Sequence, residues 1–380
     1  PYFSSSTRDV RRLIAELQEQ GVTGIVVDLR NNGGGSLLEA TTLTGLFIDT
    51  GPVVQVRNSS GRISLEEDVD PGMAWEGPLA VLVNRYSASA SEIFAAAIQD
   101  YGRGVVIGEP TFGKGTVQSL LDLDDYAPSD KPGMGQLKIT MAQCFRVNGG
   151  STQNLGVEPD IRFPSFGDPQ EYGERSMDNA LPWSSIDPAR YKTSGDLSQL
   201  VAVADSRYHG RMADEEEFGW LMSDIDSYNE HASETRISLL ESVGRQKMKE
   251  QEQKKAERKA KQDATGPLLG EGGALVAPDP ELADFEDEEA VEGEEEQEEG
   301  PDLLLREAAR IVADMVELES DLELLKRQFA LLDQDVAEPS RFVEKVDMPR
   351  VEQVEAAVGE DDAFAPSPRV RDTLREAGQR

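Results

Sequence analysis

Three short apolar runs, each emptying into a segment of small and polar residues, constrain this chain more than any other feature. Gly24-Ile25-Val26-Val27-Asp28-Leu29 leads into Arg30-Asn31-Asn32-Gly33-Gly34-Gly35-Ser36. Leu79-Ala80-Val81-Leu82-Val83 leads, a few residues on, into Ser87-Ala88-Ser89-Ala90-Ser91-Glu92-Ile93. Gly104-Val105-Val106-Ile107-Gly108 leads into Glu109-Pro110-Thr111-Phe112-Gly113-Lys114-Gly115-Thr116. Runs this short and this rich in β-branched residues predict buried strands. Helical segments are expected over 37–47 and 92–101, and an amphipathic helix capped by Ser6 or Thr7 precedes the first run, with Val10, Leu13, Ile14 and Leu17 on one face. Strands alternating with helices predict an α/β layer architecture, and sites in such sheets gather where strands end and helices begin.

Further strands are expected over 53–56, 117–123 and 136–147. Beyond 164 the texture changes. Residues 181–188 read as a connector, 213–228 and 231–261 as helices, and 303–332 as one last helix with Leu304, Ala308, Ile311, Met315 and Leu318 on a face. Between them, 263–300 turns Gly/Pro-rich and then strongly acidic. Such a stretch buries too little apolar surface to offset its ordering entropy and is expected to be disordered, as is 336–380.

The net charge is −35, which argues against nucleic acid as a partner because phosphate contacts need clustered Lys and Arg. The basic run at 247–261 is interleaved with Glu and reads as a solvated helix. No apolar stretch is long enough to span a membrane. The single cysteine, Cys144, cannot form an internal disulfide. The chain opens Pro1-Tyr2-Phe3 and reads as a piece of a longer protein, with any targeting segment upstream.

The two histidines, His209 and His231, both lie far downstream of the serine cluster. A serine nucleophile here therefore needs another base, and Lys114 is the natural substitute. An ordinary lysine amine is protonated at neutral pH, and burial favours its neutral form. Phe112 and Gly113 suit a tight, partly apolar pocket around it. Each residue also has a plain structural role open to it. Ser89 with Glu92 three residues on fits a capping box, though the same strand-to-helix position puts a serine at the positive end of a helix dipole, beside the Ala90 amide. Ser87 and Ser91 compete with Ser89, and the cluster alone does not choose. The glycine run 33–35 fits either a turn or a second oxyanion donor. Gln118 fits an exposed strand position or a group orienting Lys114. Asp100 and Glu109 suit structural roles. A phosphate loop fails on spacing, because Gly115 stands where Gly-x-x-x-x-Gly-Lys requires Ser or Thr.

These three segments, extended through Val117-Gln118 and followed in order by Asn154-Leu155-Gly156-Val157-Glu158-Pro159-Asp160, resemble the C-terminal processing protease family of Ser/Lys peptidases. Asp178-Asn179-Ala180-Leu181-Pro182-Trp183 resembles the start of the helical C-terminal module found in its Gram-negative members. The resemblance implies Ser89 as nucleophile, Lys114 as general base and Gln118 as the group orienting the lysine. It implies Ala90 with Gly34 or Gly35 as oxyanion donors, Asp100 in a supporting role, and no metal or cofactor. It further implies a crotonase-like α/β core of mixed sheet and helices, with a mainly helical module behind it.

The resulting layout is a protease core over 1–165, truncated at its N-terminus, and a helical module over 166–262. An acidic disordered linker follows over 263–300, then the module's last helix over 301–335 and a disordered tail over 336–380. The expected function is endoproteolysis of proteins or peptides recognised by apolar C-termini, in the periplasm. An adaptor lipoprotein is a candidate partner, and a PDZ domain and signal peptide are expected upstream. The rival readings are an acyl-CoA enzyme of crotonase-like fold and a non-catalytic peptide-binding or scaffold protein.

Overall fold

The computed structural model describes residues 5–126, 133–234, 236, 238, 240–265 and 302–337. Nearly all of these lie in one compact unit that ends at Leu332. Of the second unit, Asp333–Arg380, only 333–337 are described. The expected disordered segments therefore fall almost wholly outside the described residues.

The three apolar runs form β1 (Ile25–Asp28), β4 (Leu79–Val83) and β5 (Val105–Gly108) of a parallel sheet, which the two-residue β8 (Ile161–Arg162) extends beside β5, in the order β1, β4, β5, β8. A second, antiparallel sheet has the order β3 (Ile63–Asp68), β2 (Gly51–Asn58), β7 (Gln136–Phe145) and β6 (Thr116–Asp122). Helix α1 (Ser6–Glu19) precedes β1, α2 (Leu37–Thr44) follows it, and α3 (Ala90–Asp100) links β4 to β5.

Successive side chains of a strand point to opposite faces, and β4 buries both. Leu79, Val81 and Val83 pack with Ile14, Phe47, Phe94 and Ile98 on one side. Ala80 and Leu82 pack with Val105, Ile107 and Ile161 on the other. That second face is covered by α4 (Ser198–Asp214), α5 (Glu216–Ser233) and α7 (Leu303–Ser320), through Leu200, Val203, Tyr208, Phe218, Ile311, Val312 and Met315. The helices α4, α5 and α7 are thus one wall of the core around the parallel sheet. At Gly24, Val312 of α7 occupies the space a Cβ would need, so only glycine permits this approach at the head of β1. A third cluster packs α3 against the second sheet through Ile93, Ala97, Tyr101, Val53, Val54 and Cys144.

The structure departs from the sequence expectations at several places. The helix expected over 231–261 is divided, with α5 ending at Ser233 and α6 spanning Glu241–Thr265, and β8 was not expected. Ser5, not Ser6 or Thr7, caps α1, because the Thr7 hydroxyl is held by Glu39 and Thr42. Helix α4 was not expected, since Leu197 stands at its N-cap and the capping oxygen comes from Asp196, one residue earlier. Strand β3 was not expected either. Its sequence Ile63-Ser64-Leu65-Glu66-Glu67-Asp68 is polar, and pairing with β2 holds it extended. The single helix expected over 303–332 is two, α7 and α8 (Leu322–Ala337). Asp321 leaves the helical region between them and accepts the Leu324 amide at 2.9 Å, which restarts the helix.

Ile311 is fully buried in α7. Ile311→Ala is expected to cost about 2–4 kcal/mol. Urea denaturation should report this loss in the midpoint, with the slope unchanged.

Candidate active site

Strands β1, β4 and β5 are neighbours in the parallel sheet, so the three segments singled out in the sequence emerge side by side at its C-terminal edge. The first two are laced together. Asn31 (φ 60°) and Asn84 exchange hydrogen bonds, at 3.0 Å from the Asn31 amide and 2.9 Å from the Asn84 side chain. The Ser87 hydroxyl donates to the Leu29 carbonyl at 2.7 Å and accepts the Asn84 amide. The Ser91 hydroxyl donates to the Asn32 carbonyl and side chain at 3.0 and 2.9 Å. Both Ser87 and Ser91 are buried, while Ser89 between them is half-exposed.

Ser89 also has an unusual backbone, with φ 57° and ψ −112° at the N-cap of α3. A positive φ in a residue with a Cβ costs of order 1–3 kcal/mol and persists only where its surroundings enforce it. Gly34 is part of that enforcement. It adopts φ +89°, and a Cβ there would lie 2.5 Å from the Ala88 carbonyl oxygen and 2.7 Å from the Ala90 nitrogen. Glycine alone lets the 33–35 run come this close to the Ser89–Ala90 backbone. The Gly34 amide donates to the Asn32 side chain at 2.9 Å. Among the described residues, neither the Gly35 amide nor the Ala90 amide has a protein acceptor.

The third segment is joined to the second by Glu92, a residue the sequence reading treated only as a cap. Its side chain is completely buried. One carboxylate oxygen accepts the Ser89 amide at 2.7 Å and the Lys114 amide at 2.9 Å. The other accepts the Thr111 hydroxyl at 2.6 Å and the Gly113 amide at 2.7 Å. Burial pushes the Glu92 carboxyl up to about 7, against the opposing pull of these four donors. The Ser-x-x-Glu spacing was the only trace of this group in the sequence. Nothing local predicted that its carboxylate would reach two further backbone amides and a hydroxyl.

The fourth motif closes the lysine loop from behind. The Asn154 amide donates to the Gly113 carbonyl at 2.8 Å, and the Val157 amide donates to the Thr111 hydroxyl at 2.7 Å. Lys114 is half-buried, and Gly115 leads into strand β6 rather than a helix. The helix N-terminus that a phosphate loop needs is therefore missing here. Among the described residues no hydrogen bond joins the Ser89 and Lys114 side chains; the fold converges their backbones on Glu92. Gln118 is exposed on β6, paired with Thr140, and makes no hydrogen bond to Lys114 among the described residues. Asp100 ends α3, nearly buried, and holds Arg146 at 2.6 and 3.0 Å and Asn148 at 2.8 Å. Glu109 pairs with Arg85 at 2.7 Å. His209 and His231 lie on exposed faces of α4 and α5, each bonded to a carbonyl four residues back. Among the described residues no acidic, His or Cys cluster could hold a metal, and no helix is long and apolar enough to cross a membrane.

The raised carboxyl of Glu92 fixes the sign of a pH effect. The folded state binds this proton more tightly than the unfolded chain, so its contribution to stability falls as pH rises from about 4.5 to about 7 and is flat above. In Glu92→Gln that slope should vanish. The stability difference between wild type and variant should then change by roughly 3 kcal/mol across the window. Denaturant titrations at several pH values measure it, and parallel wild-type and variant curves would contradict it.

Comparison with known proteins places these segments in a family. The model for peptidase family S41 matches residues 1–163, and that for the C-terminal domain of tail specific protease matches 167–317. The chain is 40% identical over 327 residues to the tail-specific protease of Haemophilus influenzae, covering 85% of this chain and 44% of that protein. It is 36% identical over 161 residues to the chloroplastic C-terminal processing peptidase of Tetradesmus obliquus, covering 42% of this chain and 33% of that one. A solved photosystem II D1 C-terminal processing protease aligns with 35% identity and a TM-score of 0.38, over 44% of this chain and 41% of that one. The chain thus spans less than half the length of these relatives. Residues 1–163 belong to peptidase family S41, and the C-terminal domain of tail specific protease follows over 167–317.

Proposed function

We propose that this chain carries the catalytic centre of a serine endopeptidase with a Ser89/Lys114 dyad. The observation that carries the reading is the shared carboxylate. Glu92 holds the backbones of Ser89 and Lys114 on one oxygen, and in the strained Ser89 turn the neighbouring Ala90 amide has no protein acceptor among the described residues.

The chemistry follows from those positions. The Ser89 Oγ attacks the scissile carbonyl carbon while Lys114 Nζ takes its proton. The carbonyl π-bond electrons move to oxygen, and that oxyanion is held by the Ala90 amide and a glycine-run amide. Gly35 suits this role better than Gly34, whose amide is occupied by Asn32. Collapse of the intermediate expels the amine, which leaves with the proton from Lys114. Water then attacks the acyl ester, gives its proton to Lys114, and the restored Ser89 recovers that proton as the acid product departs. Gln118 is assigned to orienting the lysine amine by family resemblance, and Asp100 to holding the end of α3 against Arg146.

The names of the relatives, tail-specific protease and C-terminal processing peptidase, support substrates selected by their C-terminal tails. Apolar C-termini, a periplasmic setting and an adaptor lipoprotein belong to the same proposal.

In the full-length protein, Ser89→Ala and Lys114→Ala should each lower cleavage of a tail-bearing substrate by at least ~10³-fold, and a fluorophosphonate should label Ser89. Undiminished proteolysis in both variants would sink the dyad. A chain that binds tails without cleaving them would point instead to a peptide-binding scaffold. Gly34→Ala forces a Cβ onto the Ser89–Ala90 backbone. It should lower kcat by ~10²-fold or more, the order seen for loss of an oxyanion donor.

A further inference from the structure

The loop that carries the glycine run is anchored by the helical module. Arg30 follows β1, and its guanidinium is divided between two carboxylates. It donates to Asp28 from Nε at 3.0 and 3.1 Å and from Nη2 at 2.6 Å. It donates to Asp302 from Nη1 at 3.2 Å and Nη2 at 2.5 Å. Asp302 is the N-cap of α7, where its Oδ1 accepts the Leu305 amide at 3.0 Å. Arg30 and Asp302 are 272 residues apart in sequence, and the Arg30 side chain is only 19% exposed. A bidentate pair on each side, partly shielded from water, fixes the guanidinium plane more firmly than a solvated surface pair does.

Arg30 stands two residues before Asn32, and Asn32 organises the glycine run. The Asn32 side chain accepts the Gly34 amide at 2.9 Å and the Ser91 hydroxyl at 2.9 Å, and its carbonyl accepts the Ala88 amide at 3.0 Å. Helix α7 also meets the other end of β1, where Val312 fills the space above Gly24. It therefore grips β1 at both ends, by packing at the head and by charge at the exit.

We infer that Asp302 of the helical module is a positioning residue for the oxyanion loop, acting through Arg30. This rests on the proposed Ser89 chemistry. The pair does not touch substrate. It sets where the 30–35 loop, and with it the Gly35 amide, stands relative to Ser89. A small displacement of such a donor affects the transition state more than substrate binding, so the effect falls on kcat and leaves KM.

Asp302→Asn tests this in the full-length protein. Asparagine is as good an N-cap as aspartate, so α7 keeps its start while the charge on Arg30 is lost. Wild type, Asp302→Asn, Asp302→Glu, Arg30→Gln and the Asp302→Asn/Arg30→Gln double variant are compared, with Ser89→Ala in parallel. Asp302→Asn should lower kcat about tenfold with KM within about twofold, and Asp302→Glu should recover most of it. The double variant should be no worse than Arg30→Gln alone. Amide hydrogen exchange over 30–35 should quicken in Asp302→Asn while α7 stays protected. That readout holds whether or not the loop serves an oxyanion. Unchanged exchange in the loop overturns the inference, as does unchanged kcat in Asp302→Asn when Ser89→Ala is inactive. Retained cleavage by Ser89→Ala would instead remove the Ser89 reading, and the exchange result alone would then decide whether Asp302 holds the loop.

Discussion

The buried Glu92 carboxylate is the interaction on which the site depends. A buried carboxyl group is costly unless its oxygens are satisfied, and here four donors meet it. Those donors come from two strand-to-next-element turns far apart in sequence. Their convergence sets the spacing between the Ser89 turn and the Lys114 loop. The strained φ of Ser89 is sustained by this grip on its amide, by Gly34 packed against its backbone, and by Ser87 and Ser91 pinned to the neighbouring loop. Together they leave the turn one arrangement.

The sheet that presents the turns needs two covers. Helices α1, α2 and α3 lie on one side, and α4, α5 and α7 on the other. The module that the sequence sets apart by its charge is thus joined to the protease domain by a hydrophobic core. Its acidic and basic residues are paired where the helices meet. Glu307, fully buried, takes Arg211 at 2.6 Å and Arg310 at 3.4 Å, and Asp314 takes Arg207 at 2.7 Å and Arg211 at 2.8 Å. Buried charges are tolerated only when paired, and the Arg207 and Arg211 pairs set which face of α7 meets α4.

Much of this was legible in the sequence. The β-branched runs marked the parallel strands, because a strand buried on both faces must be apolar throughout. The Ala-rich segment after the serines marked α3, and the absence of a nearby histidine turned attention to Lys114. What failed was where local chemistry and tertiary context disagreed. Strand β3 is charged, yet it pairs with β2; α4 lacks a capping residue at its own N-cap; Asp321 breaks a segment whose apolar period runs through it.

The sequence by itself determined strands β1, β4 and β5, the turns they empty into and the residue types those turns hold, because each follows from short-range periodicity and backbone preference. It left three serines open and read Glu92 as a cap. Tertiary structure decided the rest. It buried Ser87 and Ser91 in hydrogen bonds to another loop, left Ser89 half-exposed, and brought the lysine loop to the same carboxylate. It also set Asp302 on Arg30. These outcomes depend on contacts between segments tens to hundreds of residues apart, which strand order and helix packing create and no local pattern encodes.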